Sequence, residues 1–243
     1  MTEQIRISEI FGPTIQGEGP LIGRPTVFVR TAGCDYRCKW CDTLYAVLPE
    51  YHGEWSHMTA PEILARVDEL ASNQNVLISL SGGNPALQPL DELCTLGRFD
   101  GHRLAMETQG SVAQSWFAKL DWLILSPKPP SSGMTTDWDA LGACVEAAAG
   151  GPCCVLKIVI FDEVDYAYAR TAASHHPNLK VYLQVGNPAP LLASGKPMPE
   201  TADLDDLLTR LRWLAGRTIA DHWFDATVLP QLHVLAWGNK RGV

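Results

Sequence analysis

The stretch PTVFVRTAGCDYRCKWCDT, residues 25–43, decides how the rest of the chain is read. Its first half, PTVFVRTAG (25–33), is β-branched and aromatic and closes on glycine, as a strand does where it gives way to a loop. Its second half follows at once with thiols at Cys34, Cys38 and Cys41, a C-x3-C-x2-C spacing. Thiolates are soft ligands that select iron–sulfur clusters, zinc or copper(I). Structural zinc takes four ligands, usually from paired knuckles; the chain has no second C-x2-C pair, and His52 or His57 would have to supply the fourth ligand. A cubane cluster on three cysteines keeps one iron open, as a chelating cofactor requires. Three merely free cysteines are the plain alternative, but free cysteine favours core positions over a loop rich in Gly, Asp, Arg and Lys.

Further runs of strand character lie on both sides of this stretch: IRISEIFG (5–12), VLISLSGG (76–83), RLAMETQG (103–110), WLILSPK (122–128), CVLKIVIF (154–161), LKVYLQVG (179–186) and QLHVLAWG (231–238). Helical patterns separate them. In TAPEILARVDELAS (59–72), Thr59 and Glu62 form a capping box, Pro61 sits where a missing N–H costs nothing, and Ile63, Leu64, Val67, Leu70 and Ala71 make one apolar stripe. Residues 203–215 repeat the pattern with Leu204, Leu207, Leu208, Leu211 and Leu214. Strands alternating with helices imply βαβ units and a mainly parallel sheet, so the expected fold is an open or closed α/β barrel with its chemistry on the loops after the strands. One domain over 1–243 is expected. Residues 44–57 and 186–202 are rich in Pro and Gly yet keep many apolar side chains, which reads as ordered loops.

Composition narrows the function classes. With 46% hydrophobic and 19% charged residues, the chain of 243 residues has material for a sizeable core. A net charge of -8 without a Lys/Arg run argues against nucleic acid as a partner. The N-terminus shows no apolar signal region, and no run approaches the roughly 20 apolar residues of a membrane helix, so a cytoplasmic location is expected. Seven cysteines, an odd number unevenly spread, suit a reducing compartment. Cys94, Cys144, Cys153 and Cys154 sit in apolar contexts and read as core residues, and His233, inside an expected strand, as a core histidine.

The C-x3-C-x-aromatic-C pattern, with Trp40 before its last cysteine, resembles the signature of the radical S-adenosylmethionine (SAM) superfamily. The resemblance implies a partial (βα)6-type barrel and a [4Fe-4S] cluster on Cys34, Cys38 and Cys41. Its open iron would chelate SAM, whose reductive cleavage yields methionine and a 5′-deoxyadenosyl radical. Ser81-Gly82-Gly83-Asn84-Pro85 is similar to the superfamily's GGEP motif, which binds the SAM amino group; Asn84 replaces the Glu, so charge assistance is lost at that position. By the same resemblance Trp40, Gly83, Asn84, Glu107, Ser126, Pro127, Lys128, Gln184 and Asn187 are the expected SAM contacts, the later ones each ending an expected strand.

The N-terminal segment EIFGPTIQGEG (9–19), with GRPTVFVR (23–30) and Cys41-Asp42-Thr43, resembles the 7-carboxy-7-deazaguanine synthase family over most of the chain. That resemblance implies ring contraction of 6-carboxy-5,6,7,8-tetrahydropterin to 7-carboxy-7-deazaguanine with loss of ammonia, a step toward queuosine and other deazapurines. It implies Mg²⁺ at Thr43 and substrate contacts at Ile15, Gln16, Gly17, Arg30, Ser81 and, through a terminal carboxylate, Val243. Arg30 has the paired donors that a pterin carboxylate invites, and Mg²⁺ accepts one protein hydroxyl among oxygen ligands and waters. A homodimer and a reductase or flavodoxin-type electron donor come with the family. A glycyl-radical activating enzyme, which shares the cluster spacing but needs neither the QGEG loop nor Thr43, and a zinc-binding structural protein are the competing readings.

Overall fold

The computed structural model describes residues 3–188 and 201–243. Strand β1 (Ile5–Ile15) pairs antiparallel with β2 (Pro25–Thr31) and with the short β3 (Ser56–Met58). From β2 onward every neighbour is parallel: β4 (Leu77–Gly82), β5 (Arg103–Thr108), β6 (Trp122–Leu125), β7 (Cys153–Ile160), β8 (Lys180–Val185) and β9 (Ala226–Leu229) follow in order. The sheet is open, running β3-β1-β2-β4-β5-β6-β7-β8-β9.

Helices α1 (Ala60–Leu70), α2 (Asp91–Phe99), α3 (Trp138–Ala147), α4 (Glu163–His175) and α5 (Leu204–Ala220) carry the crossovers. The link after β5 is instead a 3-10 turn over Ser115–Lys119. α1 begins on the expected capping box of Thr59 and Glu62, and the stripe of Ile63, Leu64 and Val67 is buried in the main core.

Side chains alternate between the two faces of each strand. Val27, Val29, Ile78, Leu80, Leu104, Met106, Leu156 and Ile158 pack with the helices in the main core. The intervening residues of β4, β5 and β7, with one from β6, face inward, where Leu77, Ala105, Ile124 and Val155 form a smaller cluster with Leu21. The alternation thus decides which residues reach the barrel's interior before any chemistry is considered.

Three expectations need correction. β1 does not stop at residue 12: a register shift between Phe11 and Thr14 marks a bulge, after which pairing with β2 resumes at Thr14 opposite Thr26. Residues 231–238 are not a strand; Leu232–Trp237 form the helix α6, and the last strand is the neighbouring ATVL of β9. A short apolar run has no period long enough to separate the two states, and Pro230 ends the true strand. Cys94 and Cys144 are buried as expected, but Cys153 opens β7 and is exposed.

Residues 44–57 are ordered, as 3-10 turns leading into β3. The expected loop 186–202 falls mostly on residues 189–200, outside the described residues. No helix among the described residues is long and apolar enough to cross a membrane.

Candidate active site

The inward residues and the loops after the strands enclose a cavity of about 250 Å³. Cys34, Cys38 and Cys41 line it together with Trp40 and Thr43. Their loop is tied to the loop after β6, where Lys39 donates its backbone N–H to Ser132 O (2.8 Å) and Trp40 Nε1 donates to Ser131 Oγ (3.0 Å). Gly83 packs closely against it, since a Cβ there would stand 2.1 Å from Gly33 O and 3.0 Å from Cys34 Cβ.

The donor set suits an iron–sulfur cluster. Tyr36 N–H points at Cys34 Sγ (3.4 Å), and Gln109 Nε2 stands 3.7 Å from the same sulfur; such N–H donors stabilise thiolate ligands and tune a cluster. Without that cluster, burial pushes all three thiols up, Cys38 to about 11 despite Lys128 nearby. Among the described residues no three His, Cys, Asp or Glu side chains converge on one ion. A cubane spreads its ligated irons over separate corners, so its thiolates need no such convergence. His52 and His57, the candidate zinc ligands, do not line the cavity: His52 packs on Trp55 and His57 is exposed in β3.

The floor is a buried charge cluster. Lys157, from the inward face of β7 and 3% exposed, pairs with Glu18 and with Glu107 (2.6 Å). Burial alone would raise the Glu18 carboxyl, but Lys157, His233 and a hydrogen bond from Gln231 outweigh it and hold the carboxyl near 2. Burial likewise works against the Lys157 ammonium, and the two carboxylates overcome it, holding the proton above its usual range.

Residues 231–233 close the open side of the barrel. Leu232 N–H donates to Gly17 O (2.9 Å), and Gln231 Nε2 donates to Glu18 Oε1 (2.7 Å). Gln184 bridges the same side by accepting from Gly19 N–H and donating to Pro230 O. Gly17 permits the approach, since a Cβ there would stand 2.1 Å from His233 Nδ1.

On the wall formed by β1 and β2, Arg30 points inward with Phe28. Its Nε donates to Glu9 Oε1 (2.7 Å), the oxygen that also accepts from Tyr45 Oη (3.0 Å). Arg241 Nε donates to Glu9 Oε2 (2.8 Å), and its guanidinium lies 3.7 Å from the Tyr45 ring centroid. Ser81 Oγ and Gln231 Oε1 are buried without a hydrogen-bond partner, on cavity-lining residues. Orphaned polar atoms of this kind call for a polar ligand.

Of the expected site residues, the cavity gathers the three cysteines, Ile15, Gln16, Gly17, Arg30, Trp40, Thr43, Ser81, Gly83, Glu107, Lys128, Asn187 and Val243. Asn84, Ser126, Pro127 and Gln184 are buried outside its lining. Ser126 Oγ instead accepts from Lys128 Nζ (3.1 Å). His233, expected in the core, lines the cavity from α6. Lys157 escaped sequence reading, although a lone lysine within CVLKIVIF was its signal: a charge in a fully buried strand needs partners or a task. Glu18 lay in view within QGEG, but its partner is 139 residues away.

Residues 28–123 match the radical SAM superfamily. The chain is 40% identical to the 7-carboxy-7-deazaguanine synthase of Bacillus cereus, covering 99% of each chain, and 40% identical to that of Bacillus subtilis, covering 100% of each. The chain belongs to the 7-carboxy-7-deazaguanine synthase family. An archaeal member, from Pyrobaculum aerophilum, is 30% identical over 99% of this chain and 98% of its own. A crystal structure of QueE from Escherichia coli matches with a TM-score of 0.69 at 21% identity, covering 95% of each chain. The last likeness is one of fold, and it agrees with a partial barrel whose parallel sheet stays open. As a radical SAM enzyme of this family, the protein uses a [4Fe-4S] cluster and SAM.

Proposed function

We propose that the protein converts 6-carboxy-5,6,7,8-tetrahydropterin to 7-carboxy-7-deazaguanine and ammonia, on the path to queuosine and related deazapurines. The observation that carries this reading is that the cysteine loop, the QGEG loop and Arg30 face one cavity, with the unpartnered Ser81 Oγ on its wall. Cys34, Cys38 and Cys41 would hold the cluster, which with SAM supplies a carbon radical able to take hydrogen from the substrate. Trp40, Gly83, Glu107, Lys128 and Asn187 are the SAM contacts we favour among cavity residues. Asn84, Ser126, Pro127 and Gln184 would act from behind the lining.

Substrate recognition follows from the remaining wall. Arg30 keeps its terminal nitrogens for a carboxylate while Glu9 fixes its Nε. Phe28, stacked on Phe11 at 4.9 Å, offers a flat apolar surface to a fused ring. Ile15, Gln16, Gly17 and Ser81 would meet the polar edge of that ring, and Val243 also lines the cavity. Thr43 would give its hydroxyl to Mg²⁺. The homodimer, the flavodoxin-type electron donor and the cytoplasmic location belong to the reading through the family alone.

Anaerobic turnover of the reconstituted protein with the carboxypterin, SAM, Mg²⁺ and a reductant tests the assignment. Appearance of deazaguanine absorbance is expected; SAM cleavage without it would remove the substrate. Thr43→Ala should retain SAM cleavage and lose magnesium stimulation of turnover, and an unchanged magnesium response would take Thr43 out of the metal's shell.

A further inference from the structure

Trp40 lies on the cavity wall, one residue before the ligand Cys41. The cysteine loop has no helix or strand of its own over residues 34–43, so contacts with the rest of the chain decide where the indole sits. Two neighbours hold the ring. Ser131 Oγ accepts from Trp40 Nε1 (3.0 Å), and the Phe161 ring lies 5.5 Å away, tilted by 39°.

Both neighbours lead back to one carboxylate. Asp165, in the first turn of α4, is fully buried and stands outside the cavity lining. Its Oδ1 accepts from Ser131 N–H (3.0 Å) and its Oδ2 from Phe161 N–H (3.0 Å). Burial pushes the carboxyl up, while the Ser131 hydroxyl and the two N–H groups pull against it. A buried carboxylate is costly unless donors satisfy it, and here the donors belong to the two residues that touch Trp40. Capping of α4 explains only the bond to Phe161, and Asp162 already serves as the N-cap. The bond to Ser131 leaves the helix for a turn 34 residues away. Because the Ser131 hydroxyl gives its proton to the carboxylate, its oxygen is left to accept from the indole. Trp40, Ser131 and Asp165 thus form a chain in which each hydrogen bond polarises the next.

We propose that Asp165 is a positioning residue for the iron–sulfur cluster: through Ser131 and Phe161 it fixes the Trp40 side chain, and with it the stretch of loop that presents Cys41. The proposal rests on the family's use of the cluster and is independent of the pterin assigned above. A carboxylate suits the role because all its groups accept, whereas an amide would turn N–H toward one of the converging donors.

The test is the rate at which the reconstituted, unreduced holoenzyme loses its cluster to EDTA under anaerobic conditions, followed by visible absorbance. Asp165→Asn and Ser131→Ala should each speed the loss about tenfold, as expected for one hydrogen bond. The double variant should be no faster than the faster single one, since both act on the same chain. Ser131→Thr, which keeps the hydroxyl, should restore the wild-type rate. Asp162→Ala is the control: it removes the cap bonds to Val164 and Asp165 N–H and weakens α4 without touching Ser131. It should lower the thermal midpoint yet leave cluster loss within about twofold of wild type. Equal acceleration by Asp162→Ala and Asp165→Asn would reduce Asp165 to a helix-stabilising residue and overturn the proposal. So would multiplying effects in the double variant. Should Asp165→Asn fail to fold, a wild-type rate in Ser131→Ala would still overturn it. A wild-type protein that takes up no cluster would overturn the cofactor reading, and the proposal with it.

Discussion

Lys157 carries its charge onto the inner face of a central strand with a carboxylate on either side. Glu18 has its carboxyl lowered from 4.5 to about 2, so the stability it contributes is complete above pH 4.5 and drains away as the pH falls from there toward 2. The ammonium of Lys157 is raised above 10.5, so its share is complete below pH 10.5 and is lost as the pH climbs beyond it. Urea midpoints measured across pH 2 to 5 should therefore fall more steeply for the wild type than for Glu18→Gln; parallel curves would deny the pairing its energetic weight. Lys157→Ala, which leaves two carboxylates facing each other without their cation, should cost about 3–5 kcal/mol. At Glu9 the expected effect is on recognition instead. Glu9→Gln weakens the hold on Arg30 and Arg241 together, and KM for the carboxypterin should rise roughly tenfold or more while kcat moves less. A larger fall in kcat than rise in KM would mean that Arg30 is not a ground-state contact. Neither partnership could be read from the chain, because Lys157 and Arg241 reach their acceptors from 139 and 232 residues away.

The helix α6 shows what element-scale reading can and cannot do. LHVLAW has the apolar density of a strand and the length of one, and only its docking onto the QGEG loop reveals it as a helix. By contrast α1 was legible to its first residue, because Thr59, Pro61 and Glu62 specify an N-terminus locally. The junction between α6 and the QGEG loop depends on the missing side chain at Gly17. Gly17→Ala drives a methyl group into His233 and should destabilise the protein by about 1–3 kcal/mol. Adding His233→Ala should recover most of that loss in thermal unfolding. If the double variant is no more stable than Gly17→Ala alone, the contact is not the source of the strain.

At the scale of the molecule, the alternation of β2, β4, β5 and β7 fixed the interior, and that much was legible as strands ending in glycine and polar residues. The cysteine triplet was legible outright, since its ligands lie on one short loop. What escaped were the residues that reach the cavity from remote elements with no local motif, Lys157 from β7 and His233 from α6 among them. Cys38→Ala should leave a folded protein, because the loop lies outside the main core, with iron and sulfide reduced to background after reconstitution. A full complement of cluster in that variant would break the three-thiol scheme.

The barrel's open side carries a consequence for how such a pocket diversifies. In a closed barrel, bore is tied to strand number and shear, so widening it disturbs every ladder. Here the gap is bridged by separate contacts from Gln184, Gln231 and Leu232 to the segment Gly17–Gly19. Exchanging a few of these amino acids would resize the chamber while the hydrogen-bonded strands kept their register, so bulkier heterocycles could be accommodated by point changes alone.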